Sequence, residues 1–388
     1  LGVIPVYFQR GGIAAPETFA LMNGTTHRLA LDGKQTHDRL FIDVPADASG
    51  ITVNANGADA EQNNGLTIDL VRLDFDAGLA EPPFTSSPGG APVLVTATGI
   101  GGNPPTVTLS GSNVQAGRWY PVLTNSNDQP SAVDITVDVE TAGEPLSIHP
   151  GLWEPISRPG LGQGFEYNFG GSSRALIWFT YDESGQPVWY ISGESTLSGN
   201  IWTADLLRVT NDGASQQLAR VGQMSITQLG TQDSLFSYTL YGKSGTDRMV
   251  PLSALTCPSV DGSDKSYSGL WYRGLDGLGG ASVLVNSTNQ AQIHYLFDDS
   301  GFPRWLFAQD PEQPSPTMPT LPILQFRGYC AVCDEAEVTF STVGVLNRTF
   351  TTETGGQWTL DYLFESPLSG SVTRTDQIQK LTNAIQCQ

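Results

Sequence analysis

The stretch Tyr181–Tyr190, YDESGQPVWY, has a near copy at Phe297–Leu306, FDDSGFPRWL. Both read aromatic, Asp, acid, Ser, Gly, x, Pro, x, Trp. Asp182 and Ser184 are residues that hydrogen-bond their own backbone in turns, and Gly185 supplies a positive φ. Ile177, Phe179 and Tyr181 alternate into the turn, and Pro187 opens a returning strand that carries Trp189. The second copy keeps Asp298, Gly301, Pro303 and Trp305 and varies the rest. A β-hairpin accounts for all four kept residues; a catalytic site accounts for about one. The phrase therefore reads as a fold signature. Trp189 is expected on the face opposite the incoming aromatics or in a shared core.

The duplication extends outward from the hairpin. Gly151-Leu-Trp153 matches Gly269-Leu-Trp271, and Gly160-Leu-Gly162 matches Gly277-Leu-Gly279. Downstream, VGQMSITQ from Val221 echoes VGVLNRTF from Val343, and each copy ends in a cysteine, Cys257 or Cys387. Each unit is the size of one domain. The Gly-x-Trp opening followed by short strands is similar to the start of avidins and lipocalins, which implies up-and-down barrels. The longer phrases resemble a β-repeat of secreted proteobacterial proteins, and no functional residue is carried over from either.

The rest of the chain has the same character. Runs such as ITVNANG, PTVTLSG and AVDITVDVE alternate at period two and are separated by Gly, Asn, Asp and Pro. The chain is all-β, a jelly-roll-like sandwich followed by two antiparallel meander or barrel domains. Thr375–Ile385 is the exception, expected as a short terminal helix. Domains are assigned as an extended segment 1–30, a sandwich 31–146, and repeat copies 150–257 and 268–388. Linkers are expected at Glu140–Pro150 and Pro258–Ser268, and a Pro-rich surface loop, functional or inert, at Asp310–Pro322.

In the first segment Leu40, Ile42 and Val44 point one way. Phe41-Ile-Asp-Val-Pro45, Gly50 with Thr52 and Val53, Asp69-Leu70-Val71 and Gly117-Arg-Trp119-Tyr120 resemble the bacterial pre-peptidase C-terminal domain family over about residues 30–140. The resemblance implies a small, secreted, non-catalytic sandwich. That family usually carries Asp-Ala-Asp-Leu-Tyr where this chain has TIDLV, so one acid is missing. Structural calcium is compatible with the resemblance but unsupported by these residues. Asp74 and Asp76 begin a calcium-loop pattern without the Glu that completes it, and read as a solvated turn.

Composition narrows the function classes. The net charge is −20, from 19 basic against 39 acidic residues. That disfavours nucleic acid and anionic membrane surfaces, which need clustered cations. No apolar run reaches membrane-spanning length. The chain starts at Leu1 without a leader and is read as a mature secreted chain. Four cysteines allow three pairings. Cys330–Cys333 is favoured as a local bridge and Cys257–Cys387 as a staple between copies, over free thiols, a redox-active CxxC or zinc.

Catalytic signals are thin. There is no Gly-x-Ser-x-Gly or His-Glu-x-x-His, and Gly242-Lys-Ser-Gly245 lacks the upstream Gly of a phosphate loop. His27, His37, His149 and His294 are scattered. No catalytic, cofactor-binding or metal-ligating residue is assigned. Of the eight tryptophans most are expected in cores, with two or three exposed as binding platforms. Val3, Ile4, Val6, Tyr7 and Phe8 form a short apolar run, read as a strand that covers its own domain or is donated to a neighbour. The expected function is a secreted, non-catalytic adhesive, matrix or appendage subunit acting through protein or glycan surfaces or self-association. The alternatives are a carbohydrate- or small-ligand-binding protein using a barrel mouth or exposed Trp, and an accessory module of a secreted hydrolase.

Overall fold

The computed structural model describes residues 18–73, 93–143, 150–170, 173–252, 256–273, 279–309, 319–382 and 387. The donated-strand candidates at Val3, Ile4, Val6, Tyr7 and Phe8, the acids Asp74 and Asp76, His149 and most of the Pro-rich loop lie outside them.

The described residues between 19 and 141 form a two-sheet sandwich. One sheet runs Phe19–Ala20, Leu40–Val44, Gly117–Asn125, Leu66–Leu73, Val93–Thr98, with Thr36–His37 paired beside Gly117–Asn125. The other runs Thr26–Leu31, Ser131–Thr141, Ala48–Gly57, Thr106–Ser110. The period-two pattern places Ile42, Val53, Ile68, Leu70, Trp119, Leu123 and Ile135 in the closed space between sheets. One turn of helix, Ala60–Asn63, is capped by Asp59, whose Oδ1 accepts from Gln62 N at 2.9 Å.

Two closed, eight-stranded antiparallel barrels follow, each with strands in sequence order. The first comprises Gly151–Pro155, Gly164–Gly170, Ser173–Tyr181, Pro187–Ser198, Ile201–Asn211, Gln216–Gly230, Asp233–Leu240 and Lys243–Pro251. It closes where Trp153 pairs with Pro251. The second comprises Gly269–Tyr272, Gly280–Val285, Gln290–Phe297, Pro303–Ala308, Thr320–Arg327, Thr339–Phe350, Gly355–Leu363 and Ser371–Lys380, and closes at Trp271 and Lys380. Closure gives every strand two neighbours, although in the second barrel Pro303–Ala308 pairs with Thr320–Arg327 only at Phe307 and Ala308. The up-and-down order is the one that the Gly-x-Trp opening implies.

The expected terminal helix is corrected. Ser371–Lys380 is the last strand of the second barrel, with Ile378 buried inside. Its helix-compatible residues are overridden because strands on both sides need a pairing partner to close the barrel. The expected linker Pro258–Ser268 contains a small hairpin, Ser259–Val260 against Ser263–Asp264.

Both expected cysteine pairings form, but the expected role of Cys257–Cys387 as a staple between the copies is corrected. Cys330 is bonded to Cys333, and Cys257 to Cys387, a separation of 130 residues. Because Cys257 precedes the second barrel and Cys387 follows its last strand, this bond ties that barrel's two ends together.

The sandwich seats on the first barrel. Ile201 of the barrel joins the sandwich core, Ala20 N donates to Ser244 Oγ at 2.8 Å, and Ser237 Oγ donates to Asp43 Oδ2 at 3.2 Å. Asp43 also holds Arg118 in a two-pronged ion pair at 2.8 and 3.0 Å.

Candidate functional site

The duplicated hairpin builds the most informative surface. In the first copy Asp182 Oδ1 accepts from Ser184 N and Gln186 N, both at 3.0 Å, and from Ser184 Oγ. In the second, Asp298 Oδ1 accepts from Ser300 N at 3.0 Å, Phe302 N at 3.1 Å and Ser300 Oγ. Gly185 and Gly301 take φ of 77° and 74°, a region that L side chains avoid. Each Asp thus closes its own turn through backbone amides.

The same phrase also joins the barrels. Trp189 Nε1 donates to Leu296 O at 3.1 Å, and Trp305 Nε1 donates to Thr180 O at 2.7 Å. Leu296 and Thr180 occupy matching positions of the two copies. Gly328 N donates to Gly185 O at 3.1 Å, and Asn211 N donates to Gly301 O at 2.9 Å. The two barrels therefore meet through a pseudo-two-fold contact in which each gives the other an indole and a turn carbonyl. Arg304, where the first copy has Val188, breaks the symmetry. Its Nε donates to Asp298 Oδ2 at 2.8 Å and its Nη1 to Asp182 Oδ2 at 2.9 Å, so one guanidinium ties both turn aspartates. Burial raises the Asp298 carboxyl, but hydrogen bonds from Ser300, Arg304 and Phe302 outweigh it and hold Asp298 below the ordinary aspartate value.

Trp189 lies directly opposite Phe179 and therefore on the same face as the incoming aromatics. The expectation of an opposite face is corrected: residues paired across an antiparallel ladder share a face. The shared-core alternative holds, since Phe179, Tyr181, Trp189, Ile293, Tyr295 and Trp305 form one apolar cluster between the barrels.

Along one side of this seam the packing opens into a groove of about 310 Å³. Phe179, Leu252 and Trp153 of the first barrel face Leu284, Trp305, Phe307, Phe326 and Phe340 of the second. Rings step outward from buried Trp305 to Phe326 at 5.7 Å and on to Phe340 at 5.3 Å, which is 58% exposed. Glu154, Asn286, Asn289 and Gln309 supply polar groups. Size and lining match a site that receives a small apolar molecule with a few polar contacts.

A second cavity, of about 380 Å³, lies where three parts of the chain converge. Arg118 and Tyr120 come from the sandwich, Arg158, Tyr238 and Asp247 from the first barrel, and Tyr329 and Cys333 from the second. Both of its arginines are already paired, Arg118 with Asp43 and Arg158 Nη2 with Asp247 Oδ1, and Tyr238 OH donates to Ala331 O at 3.1 Å. Gln163 Nε2 donates to Tyr329 O at 2.9 Å. The Cys330–Cys333 loop thus caps the first barrel, with Ala331 and Val332 packed on its core.

The tryptophan expectation fails in one respect. All eight are 6% exposed or less, so none forms a surface platform. The ring-bearing surface is made by phenylalanines of the second barrel, which the sequence does not single out because Phe326 and Phe340 lie outside the matched repeat phrases. Trp153 and Trp271 are fully buried in equivalent positions, and Pro187 and Pro303 begin the returning strands. Among the described residues no group of three or more His, Cys, Asp or Glu is placed to hold a metal ion. No helix among the described residues is long and apolar enough to cross a membrane.

Neither a family model nor a curated protein matches this chain. Among solved structures it is similar to the pre-peptidase C-terminal domain of a collagenase from Bacillus anthracis. Identity is 16%, with 32% of this chain and 100% of that chain covered. The TM-score is 0.24.

Proposed function

We propose that this chain is a non-catalytic extracellular binding protein whose seam groove receives a small, apolar, ring-bearing molecule. The observation that supports it is the ladder Trp305, Phe326, Phe340, which runs from the shared core to an exposed ring. Rings stacked this way offer edge and face contacts to an incoming ring. Two disulfides fit an oxidising compartment.

The test is titration of the full chain with naphthalene or indole, followed by calorimetry and by tryptophan emission where the probe permits. Saturable binding is expected, weakened about tenfold or more in Phe340→Ser and in Phe326→Ser. Absence of binding up to the solubility limit, or affinity untouched by both substitutions, rejects the groove.

A second reading, an adhesive, matrix or appendage subunit, draws on a different observation. Val93–Thr98 is an edge strand of the sandwich, with Val93 and Leu94 each 46% exposed and Ile100 beyond it 75% exposed. Edge strands of this kind accept another chain's strand. Val93→Lys with Leu94→Lys should abolish concentration-dependent self-association while the monomer stays folded. A chain that is monomeric at high concentration before substitution removes this reading.

A further inference from the structure

The two barrels carry the same core positions with different chemistry. In the first barrel Leu176, Trp178 and Ile226 face inward and pack with Phe236 and Tyr238. In the second, the matching positions hold Gln292, His294 and Arg348, packed with Trp358. The strand registers support the match. Ile226 pairs with Phe236, and Arg348 with Trp358; Phe236 pairs with Asp247, and Trp358 with Asp376. The first barrel shows that the fold is satisfied by apolar residues at all three places. Three adjacent polar replacements in a core are a departure from packing rules of the kind found at binding sites.

The replacements also leave hydrogen-bond capacity unused. Arg348 is 5% exposed, and its Nη1 is buried without a hydrogen-bond partner among the described residues. Its guanidinium stands 4.9 Å from the centre of the Phe350 ring, and no carboxylate among the described residues pairs with it. Asp376 is engaged elsewhere, accepting from Arg374 Nε at 2.8 Å and Trp358 Nε1 at 3.3 Å, with Arg273 at 3.6 Å. Gln292 is fully buried, its Oε1 lies 3.0 Å from His294 Nε2, and its Nε2 is likewise without a partner. Both orphaned groups are donors, and the guanidinium is a cation. What they lack is an acceptor carrying negative charge.

We propose that the interior of the second barrel binds a small oxyanion, in the first instance the carboxylate of a short organic acid, between Arg348 and Gln292. Trp358 and neutral His294, whose rings lie 5.1 Å apart, wall the site. His294 takes less volume than the tryptophan at the matching position. Burial drives His294 down to about 3 and Arg348 down to about 9, so at neutral pH the imidazole is uncharged and the guanidinium still cationic. The pairing of a planar guanidinium fork with a carboxylate is the strongest such contact available to an uncompensated arginine. The site is separate from the seam groove, so either can fail alone.

The test uses the full chain with sodium formate and sodium acetate at constant ionic strength set by sodium chloride. Expected results are a saturable rise in melting temperature and a saturable shift of the Arg348 Nε–H and His294 ring signals in NMR spectra. Gln292→Leu should weaken the response about tenfold, and Arg348→Met should abolish it. Phe340→Ser, in the groove, should leave it intact. The triple variant Gln292→Leu, His294→Trp, Arg348→Ile, which writes the first barrel's core into the second, should show no response. The single Gln292→Leu and Arg348→Met variants keep the test decisive if the triple variant does not fold. No saturable response to either acid overturns the proposal. So does an unchanged response in Arg348→Met, or a crystal grown in saturating acetate that shows ordered water only at both donors.

Discussion

The two barrels share topology, turn chemistry and a reciprocal contact, yet they are stabilised differently. The first has an aromatic interior of Trp178, Tyr190, Phe236 and Tyr238 and is capped by the Cys330–Cys333 loop of its neighbour. The second has a mixed interior with Gln292, His294 and Arg348, and a disulfide joining its two ends. A core that gives up apolar area and accepts a buried cation loses stability relative to an apolar one. A crosslink around the whole barrel offsets that loss from the unfolded side. The reciprocal hairpin contact is common to both copies, whereas the interiors and the ends differ.

The largest predicted effect removes the offset. Cys257→Ser with Cys387→Ser opens a loop of 130 residues and should cost the second barrel about 4–5 kcal/mol in the chain-entropy model. The first barrel has no strap of this kind and should change much less. Hydrogen exchange resolved by segment checks this. Equal loss of protection in both barrels breaks the asymmetry.

Next come the turn glycines, which test the reciprocity. A Cβ on Gly301 would lie 1.8 Å from Asn211 O, and one on Gly185 would lie 2.6 Å from Gly328 O. Both sites also have positive φ. Gly301→Val and Gly185→Val should each cost about 3–4 kcal/mol, from backbone strain plus a displaced neighbour. Gly301→Val should cost more because its contact is tighter. Urea unfolding measures both. If Gly185→Val unfolds the first barrel but leaves the second untouched, the turn acts locally and the seam is not shared.

These glycines mark how far the sequence could be read. The hairpin, the positive φ at Gly185 and Gly301, the duplication and both disulfides follow from local chemistry: Asx turns, Pro at a strand start, and paired cysteines at repeat ends. The seam does not. Nothing in YDESGQPVWY says that the Trp189 indole reaches Leu296 O of the other copy, because that bond spans 107 positions and depends on how two finished barrels dock. The exposed Phe340 was illegible for the same reason. A phenylalanine alternating in a strand reads as core until the neighbour that fails to cover it is known. Thr375–Ile385 misled in the other direction, since barrel closure imposes a strand on residues with no strong β preference. The interior contrast was half-visible: Trp178 facing His294 in the alignment shows divergence, but only burial and register turn it into an unpaired Arg348 and Gln292.

Acidification separates the interiors further. Burial, reinforced by Arg348 and Arg374, lowers His294 in the fold to about 3, whereas an unfolded histidine titrates near 6.5. Below about pH 6.5 the unfolded chain therefore binds a proton that the folded barrel does not. Stability of the second barrel should fall progressively from pH 6.5 toward pH 3. Trp178 at the matching place in the first barrel has no such proton. His294→Phe should flatten the slope for the second barrel, with the Trp358 indole resonance, next to His294, as the reporter. Asp298 acts only at the acid end. Its lowered value gives stability that is present above about pH 4 and lost as pH falls below it. A slope unchanged in His294→Phe would place the titration elsewhere, for example at His27 or His37 of the sandwich, both also lowered by burial.

The smallest effect on stability carries the most weight for the seam groove. Phe340 is 58% exposed and belongs to no buried cluster, so Phe340→Ser should change unfolding free energy by about 0.5 kcal/mol or less. Phe326 is packed between Trp305, Phe307 and Phe340, so Phe326→Ser should cost several times more. If the groove is a binding surface, the two substitutions should weaken a ring-bearing probe by comparable factors despite their unequal cost in stability. If the rings merely complete the packing of the second barrel, loss of probe binding should instead track loss of stability, and Phe340→Ser should do nothing. The first barrel offers no equivalent ladder, because the strand that holds Phe326 in the second barrel corresponds to Ile201–Asn211, where Val209 is fully covered at the seam. Binding that survives at the first barrel's side would therefore locate the site outside this groove.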